Sequence, residues 1–75
     1  MTVKDLIERE KDNGTALSLI IKSRIEEIKI DKDRNQYGYN ASKHMLDGII
    51  HTLFVLHMIT EEEFFQLIDD IIENY

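Results

Sequence analysis

The sequence predicts an all-α protein, a small bundle of three to four helices forming a single domain over residues 1–75, on three observations. There is no proline and only three glycines, so long stretches carry nothing that would break a helix. Apolar side chains recur at spacings of three and four, the period of a helix with one buried face. Capping residues stand ahead of these stretches: Thr2 with Asp5, Thr15, Asn40, and Thr60 with Glu63.

The first helix is expected over 3–12, with Val3, Leu6 and Ile7 as its apolar stripe and Asn13-Gly14 as its end. The second, over 16–33, follows Thr15 and carries Leu17, Ile21, Ile25 and Ile28 on one face. The adjacent acids Glu26 and Glu27 fit a helical period better than a strand's period of two. Residues 34–40, with Gly38 between two tyrosines, read as the main loop, and Asn40 as the cap of a third helix over 41–58. That helix is expected to bury Met45, Ile49, Leu53 and Leu56, widened by Leu46 and Ile50. His57 falls on the same flank, close enough to the helix end to satisfy a carbonyl. The fourth helix, over 61–73, has the strongest local signal: a capping box from Thr60 to Glu63, a hydrophobic staple from Ile59 to Phe64, and three acids at the positive end of its dipole. Its expected core face is Phe64, Leu67, Ile68, Ile71 and Ile72, continued by Tyr75.

Twelve Ile and seven Leu supply the aliphatic surface of a folded core rather than of a solvated tail. Without cysteine there are neither disulfides nor thiolate zinc sites, which suits a reducing, cytoplasmic setting. The most apolar run, Ile49 to Ile59, contains two His and a Thr, so neither a secretion signal nor a membrane span is expected.

The net charge of −6 is concentrated at one end. Residues 1–59 hold nine acids and nine bases, and residues 60–75 hold six acids and no base. A nucleic-acid binder needs a cationic footprint, yet Lys22, Arg24, Lys29, Lys32 and Arg34 are interleaved with Glu26, Glu27, Asp31 and Asp33. Direct binding to nucleic acid is therefore not expected. An enzyme is not expected either, since the chain shows no nucleophile with a base, no converging carboxylate pair and no phosphate-binding glycine loop.

His44, Asp47 and His51, at i, i+3 and i+7, share one helix face, but a zinc ion would want a fourth ligand, and an ordinary polar face is the simpler account. Neither metal nor cofactor is expected. On the fourth helix Glu62, Glu63, Asp69, Asp70 and Glu73 fall with Gln66 within an arc of roughly 120° at 100° per residue. This strip is either simply solvated or a docking face for a basic partner, with Glu62, Asp69, Asp70 and Glu73 as its contact residues. Tyr37 and Tyr39, beside Arg34, are of the residue types enriched at binding hot spots, although packing over the ends of the second and third helices is the simpler account of them. Phe54, Val55 and Met58 point away from the third helix's main face, and Leu19 and Ile30 form an off-face stripe on the second. With so small a core, these five are the expected interface of a homodimer.

The layout, with its short capped first helix and its Ile-Thr-Glu-Glu-Glu-Phe helix start, resembles in style the small acidic helical proteins encoded by phages and mobile elements of low-GC Gram-positive bacteria. The resemblance carries over no functional residue. It implies a protein that binds and blocks, or adapts, a host or defence protein. The expected function is accordingly a non-enzymatic protein-binding module, an inhibitor or adaptor acting through its acidic helix. The alternative is a small transcriptional regulator or antirepressor acting on DNA or on a DNA-binding protein.

Overall fold

The computed structural model describes all 75 residues. Four helices follow one another, α1 (Val3–Asp12), α2 (Leu17–Lys32), α3 (Gln36–Val55) and α4 (Glu61–Asn74), with no strand. Short connections make sequential helices antiparallel neighbours. The α2–α3 pairing is the most extensive; α1 leans on α2, α4 leans on α3, and a narrower seam between α1 and α4 closes the ring. The long dimension of 34 Å is set by α3, whose 20 residues span about 30 Å at 1.5 Å per residue. No helix is long and apolar enough to cross a membrane.

The core is one cluster of twelve apolar side chains. Ile21, Ile25 and Ile28 of α2 face Leu46, Ile50 and Leu53 of α3, and Val3 and Leu6 of α1 join Phe64, Leu67 and Ile71 of α4. The four-residue recurrence in α2 thus marks its buried face as expected. On α3 the buried face is rotated from the expected one: Ser42, Leu46, Ile50 and Leu53 are inside, while Met45 and Leu56 are exposed and Ile49 is half-buried. On α4, Ile72 is also exposed. It lies about 80° around the helix from Phe64, too far to reach the core.

Two caps match the sequence and two do not. Thr2 with Asp5 and Thr60 with Glu63 both form complete capping boxes. Thr15 does not cap α2. The helix enters through Ala16 with no side-chain cap, and the Thr15 hydroxyl instead donates to the buried Glu10 carboxylate at 2.8 Å. The expected loop over 34–40 is the opening of α3, because Asn35 rather than Asn40 accepts the Gly38 N–H. Gly38 fits within this first turn because a Cβ there would meet an Asp31 carboxylate oxygen at 3.0 Å. The neighbours there are the ends of the Asp31 and Asn35 side chains, and Gly38 lies in a helical turn, not a chain reversal.

Helices α1 and α3 end in the same way. After α1, the Gly14 N–H bonds the Lys11 carbonyl and the Thr15 N–H bonds the Glu10 carbonyl; after α3, His57 bonds Phe54 and Met58 bonds Leu53. Both are Schellman turns, which place one residue in the left-handed region. In the first that residue is Gly14, with φ of 71°; in the second it is His57, with φ of 59°. His57 is therefore exposed, and its backbone conformation, not a buried imidazole, ends the helix one turn earlier than expected. A side chain at positive φ carries a steric cost that glycine avoids. His57→Gly is expected to stabilise the fold by about 1 kcal/mol, and Gly14→Ala to destabilise it by about the same amount, as read by urea denaturation.

Candidate partner-binding surfaces

Each seam of the bundle has its own chemistry. The α1–α4 seam is polar and holds the first helix in place. Asp70 of α4 accepts the Val3 N–H at 2.9 Å, satisfying a donor at the start of α1, and takes a second bond at 2.7 Å from Asn74. Glu63 pairs with Arg9 at 3.0 Å, and Arg9 also donates to the Met58 carbonyl. Gln66 accepts from the Met1 amino group. The Thr60 N–H, then the Arg9 guanidinium, hold the Glu63 carboxyl below its ordinary range. The Thr2 N–H lowers Asp5 likewise. Tyr75 is pushed up by burial and, less, by the nearby Asp70 charge.

These contacts divide the acidic strip of α4. Glu63 and Asp70 are turned inward and committed to α1, while Glu62, Asp69 and Glu73 face solvent together with Glu61. Two large apolar side chains stand among these four acids, Phe65 at 57% exposure and Ile72 at 68%. At 100° per residue all six fall within about 120° of arc. The outer face of α4 is thus apolar as well as acidic, and no basic residue lies on that helix. Phe65 had escaped the sequence reading, although its place 100° from Phe64 already puts it off the core stripe.

The tyrosine pair does not act as a unit. Tyr37 is 85% exposed in the first turn of α3. Tyr39, about 200° further round, donates its hydroxyl to the Tyr75 backbone oxygen and lies under the Lys43 ammonium at 5.3 Å. Tyr39 therefore joins the ends of α3 and α4, and only Tyr37 is free to meet a partner. The five residues expected at a dimer interface are likewise scattered. Phe54 stacks on Phe64 with ring centroids 4.7 Å apart. Leu19 lines the groove between α1 and α2, Ile30 is exposed further along α2, and Val55 and Met58 are exposed at the end of α3.

The α3–α4 seam holds His44, Asp47 and His51. The His51 ring meets Phe64 edge-on at 4.8 Å, and its Nε2 lies 3.8 Å from Asp47. No group of three His or acidic side chains is placed to hold a metal ion. The α1–α2 seam is a groove of about 510 Å³ with Lys4, Lys11, Lys22 and Lys29 along its walls and Glu8 and Glu26 among them. The α2–α3 seam is a groove of about 750 Å³, lined mainly by apolar side chains and by no acid.

The chain matches no family model, no curated protein and no solved structure.

Because Asp70 caps α1 while Asp69 and Glu73 touch nothing across the fold, neutralising these neighbours has separable effects. Asp70→Ala is expected to cost about 1 kcal/mol of stability in urea denaturation. Asp69→Asn and Glu73→Gln should each stay within about 0.5 kcal/mol of the parent. The lowered Glu63 carboxyl gives an acid-side prediction. A carboxyl that titrates lower in the folded than in the unfolded chain contributes its full stability above its ordinary value of 4.5 and loses it as pH falls through the folded value. Stability should decline less steeply on acidification in Glu63→Gln than in the parent.

Proposed function

We propose that this chain is a non-enzymatic protein-binding module that captures a partner with a basic surface through the outer face of α4. The observation that carries the reading is the presentation of Phe65 and Ile72 between Glu61, Glu62, Asp69 and Glu73, on a helix without a base. Exposed apolar side chains ringed by charge of one sign supply what a specific contact needs. The acids steer a cationic partner, and the desolvated aromatic and aliphatic groups slow its release. Two further acids are already committed to α1, so the face is held on a helix pinned at Thr60, Glu63 and Asp70. Capture by such a face works by covering the partner's surface, which is the action of an inhibitor or adaptor. In the terms of the phage-like resemblance, the partner is a host or defence protein.

The four lysines that line the α1–α2 groove, Lys4, Lys11, Lys22 and Lys29, are offset in part by Glu8 and Glu26, and Arg24 stands apart from them on the α2–α3 groove. There it leans on the Met45 sulfur at 3.4 Å. The contact with a protein is therefore the reading favoured over contact with nucleic acid.

Two variants of the immobilised chain test it against a Gram-positive lysate: Glu62→Gln/Asp69→Asn/Glu73→Gln, and Phe65→Ala/Ile72→Ala. Both remove solvent-facing groups and should keep the parent's helix content and melting temperature. A stoichiometric protein retained by the parent should be lost or strongly reduced with each variant. With that protein purified, neutralising the acids should slow association by about tenfold at low salt, and parent binding should weaken as ionic strength rises. Equal retention by the parent and both variants would refute the reading.

A further inference from the structure

We infer that two copies of the chain pair through the groove between α2 and α3, forming a dimer that leaves both α4 faces outward. The groove is made by Leu17 and Ile20 of α2, by Met45 and Ile49 of α3 and by Leu56 at its C-cap, with Met58 closing one end. Met45 is 53% exposed and Leu56 61% exposed, and with Ile49 and Thr52 between them they form one stripe down α3. A contiguous apolar surface of this kind, on so small a fold, marks a contact with another macromolecule.

The distribution of charge points to a second copy as the occupant. Copies of a chain with net charge −6 repel one another unless they meet where that charge is absent. The other three seams are each lined by acids: Glu8 and Glu26 between α1 and α2, Asp47 between α3 and α4, Glu63 and Asp70 between α1 and α4. The α2–α3 groove has none, and its one charged side chain is Arg24. The excess charge lies wholly in residues 60–75, and α4 packs on the opposite flank of α3, where Phe54 meets Phe64 and Asp47 faces Ile68. Copies joined across the groove therefore meet through their neutral halves and carry their acidic helices at the far ends.

Apart from Arg24, whose guanidinium has to stay in water at the rim, the groove is also fit to be dried. The Thr52 hydroxyl is already bonded to the Gly48 carbonyl at 2.9 Å, so burying it leaves no unmet donor. Nothing lies within 4 Å of where a Gly48 Cβ would stand, so an approaching helix can come close to the α3 backbone there. A two-fold pairing that crosses α3 on α3 near Gly48 and Thr52 puts the same stripe on both sides of the contact, as an isologous interface requires. The pairing stands independently of the role given to α4; only its consequence, that the dimer offers two docking faces, rests on that role.

Sedimentation equilibrium of the purified full chain tests the pairing without any partner. The expected mass is twice 8.9 kDa at micromolar concentration, undiminished in high salt because the contact is apolar. Met45→Glu/Leu56→Glu should halve the mass while helix content stays that of the parent. Since the chain has no cysteine, Thr52→Cys gives a second measurement that does not depend on the glutamates being tolerated. Under mild oxidation it should form a disulfide-linked dimer many-fold faster than Lys22→Cys on the α1–α2 seam. A single-chain mass throughout the micromolar range would overturn the inference. A dimer unaffected by the glutamates, or cross-linking no faster at residue 52 than at residue 22, would overturn it too. None of these results bears on capture of a basic partner by α4, which is measured separately.

Discussion

Two long helices with more apolar surface than two short ones can cover set the form of this molecule. Helices α2 and α3, of 16 and 20 residues, bury Ile21, Ile25 and Ile28 against Leu46, Ile50 and Leu53. Only α1, of ten residues, and α4, of fourteen, remain to cover them. Once Val3 and Leu6 fill one side and Phe64, Leu67 and Ile71 another, nothing is left for the stripe through Met45, Ile49 and Leu56. A chain of this length has little surface to spare for covering a second face of its long helices, and the α2–α3 groove is the face left open.

The same shortage explains why polar groups hold α1. A helix of ten residues is too short to persist by itself in water, and this one buries few apolar side chains, Val3 and Leu6 foremost. Its position therefore depends on directed contacts: a carboxylate on its first N–H, an ion pair at Arg9, and the Glu10 carboxylate taken by Thr15. Half-buried pairs of this kind are screened less by salt than fully exposed ones. Helix α4 thus has two chemically similar sets of acids in different surroundings, one turned to the fold and one to solvent.

Local signals in the sequence were enough for the helical class, for α1 and α4 almost to the residue, and for the buried face of α2. The Thr60–Glu63 and Thr2–Asp5 boxes are each complete within four residues, so both can be read without knowing any distant contact. The start of α3 was not legible in the same way. Asn35 and Asn40 are both good caps; Asn35 takes the Gly38 N–H, and the turn it opens carries Tyr39, which reaches the end of α4 across 36 residues of chain. The division of the α4 acids was equally hidden, because the partners of Glu63 and Asp70 lie 54 and 67 residues away. Phe65 and Ile72 are a different matter. Their angles around the helix follow from the sequence alone, and the apolar part of the outer face could have been read from them. The rotated face of α3 lies between these cases, since a helix apolar nearly all round leaves the choice of buried side to its neighbours.

The seam in which Val3 meets Asp70 joins the two ends of the chain, and this bears on the order in which the molecule assembles. Contacts between residues so far apart close the largest loop available, and the entropy of that closure is met only after the nearer helices have docked. The α2–α3 hairpin, local in sequence and the most extensive pairing, is the one that costs least to close, and the α1–α4 seam the one that costs most. For a clasp that forms late, weakening it hastens unfolding and leaves the folding rate almost unchanged, so the hold on the chain's two ends bears on the lifetime of the native state.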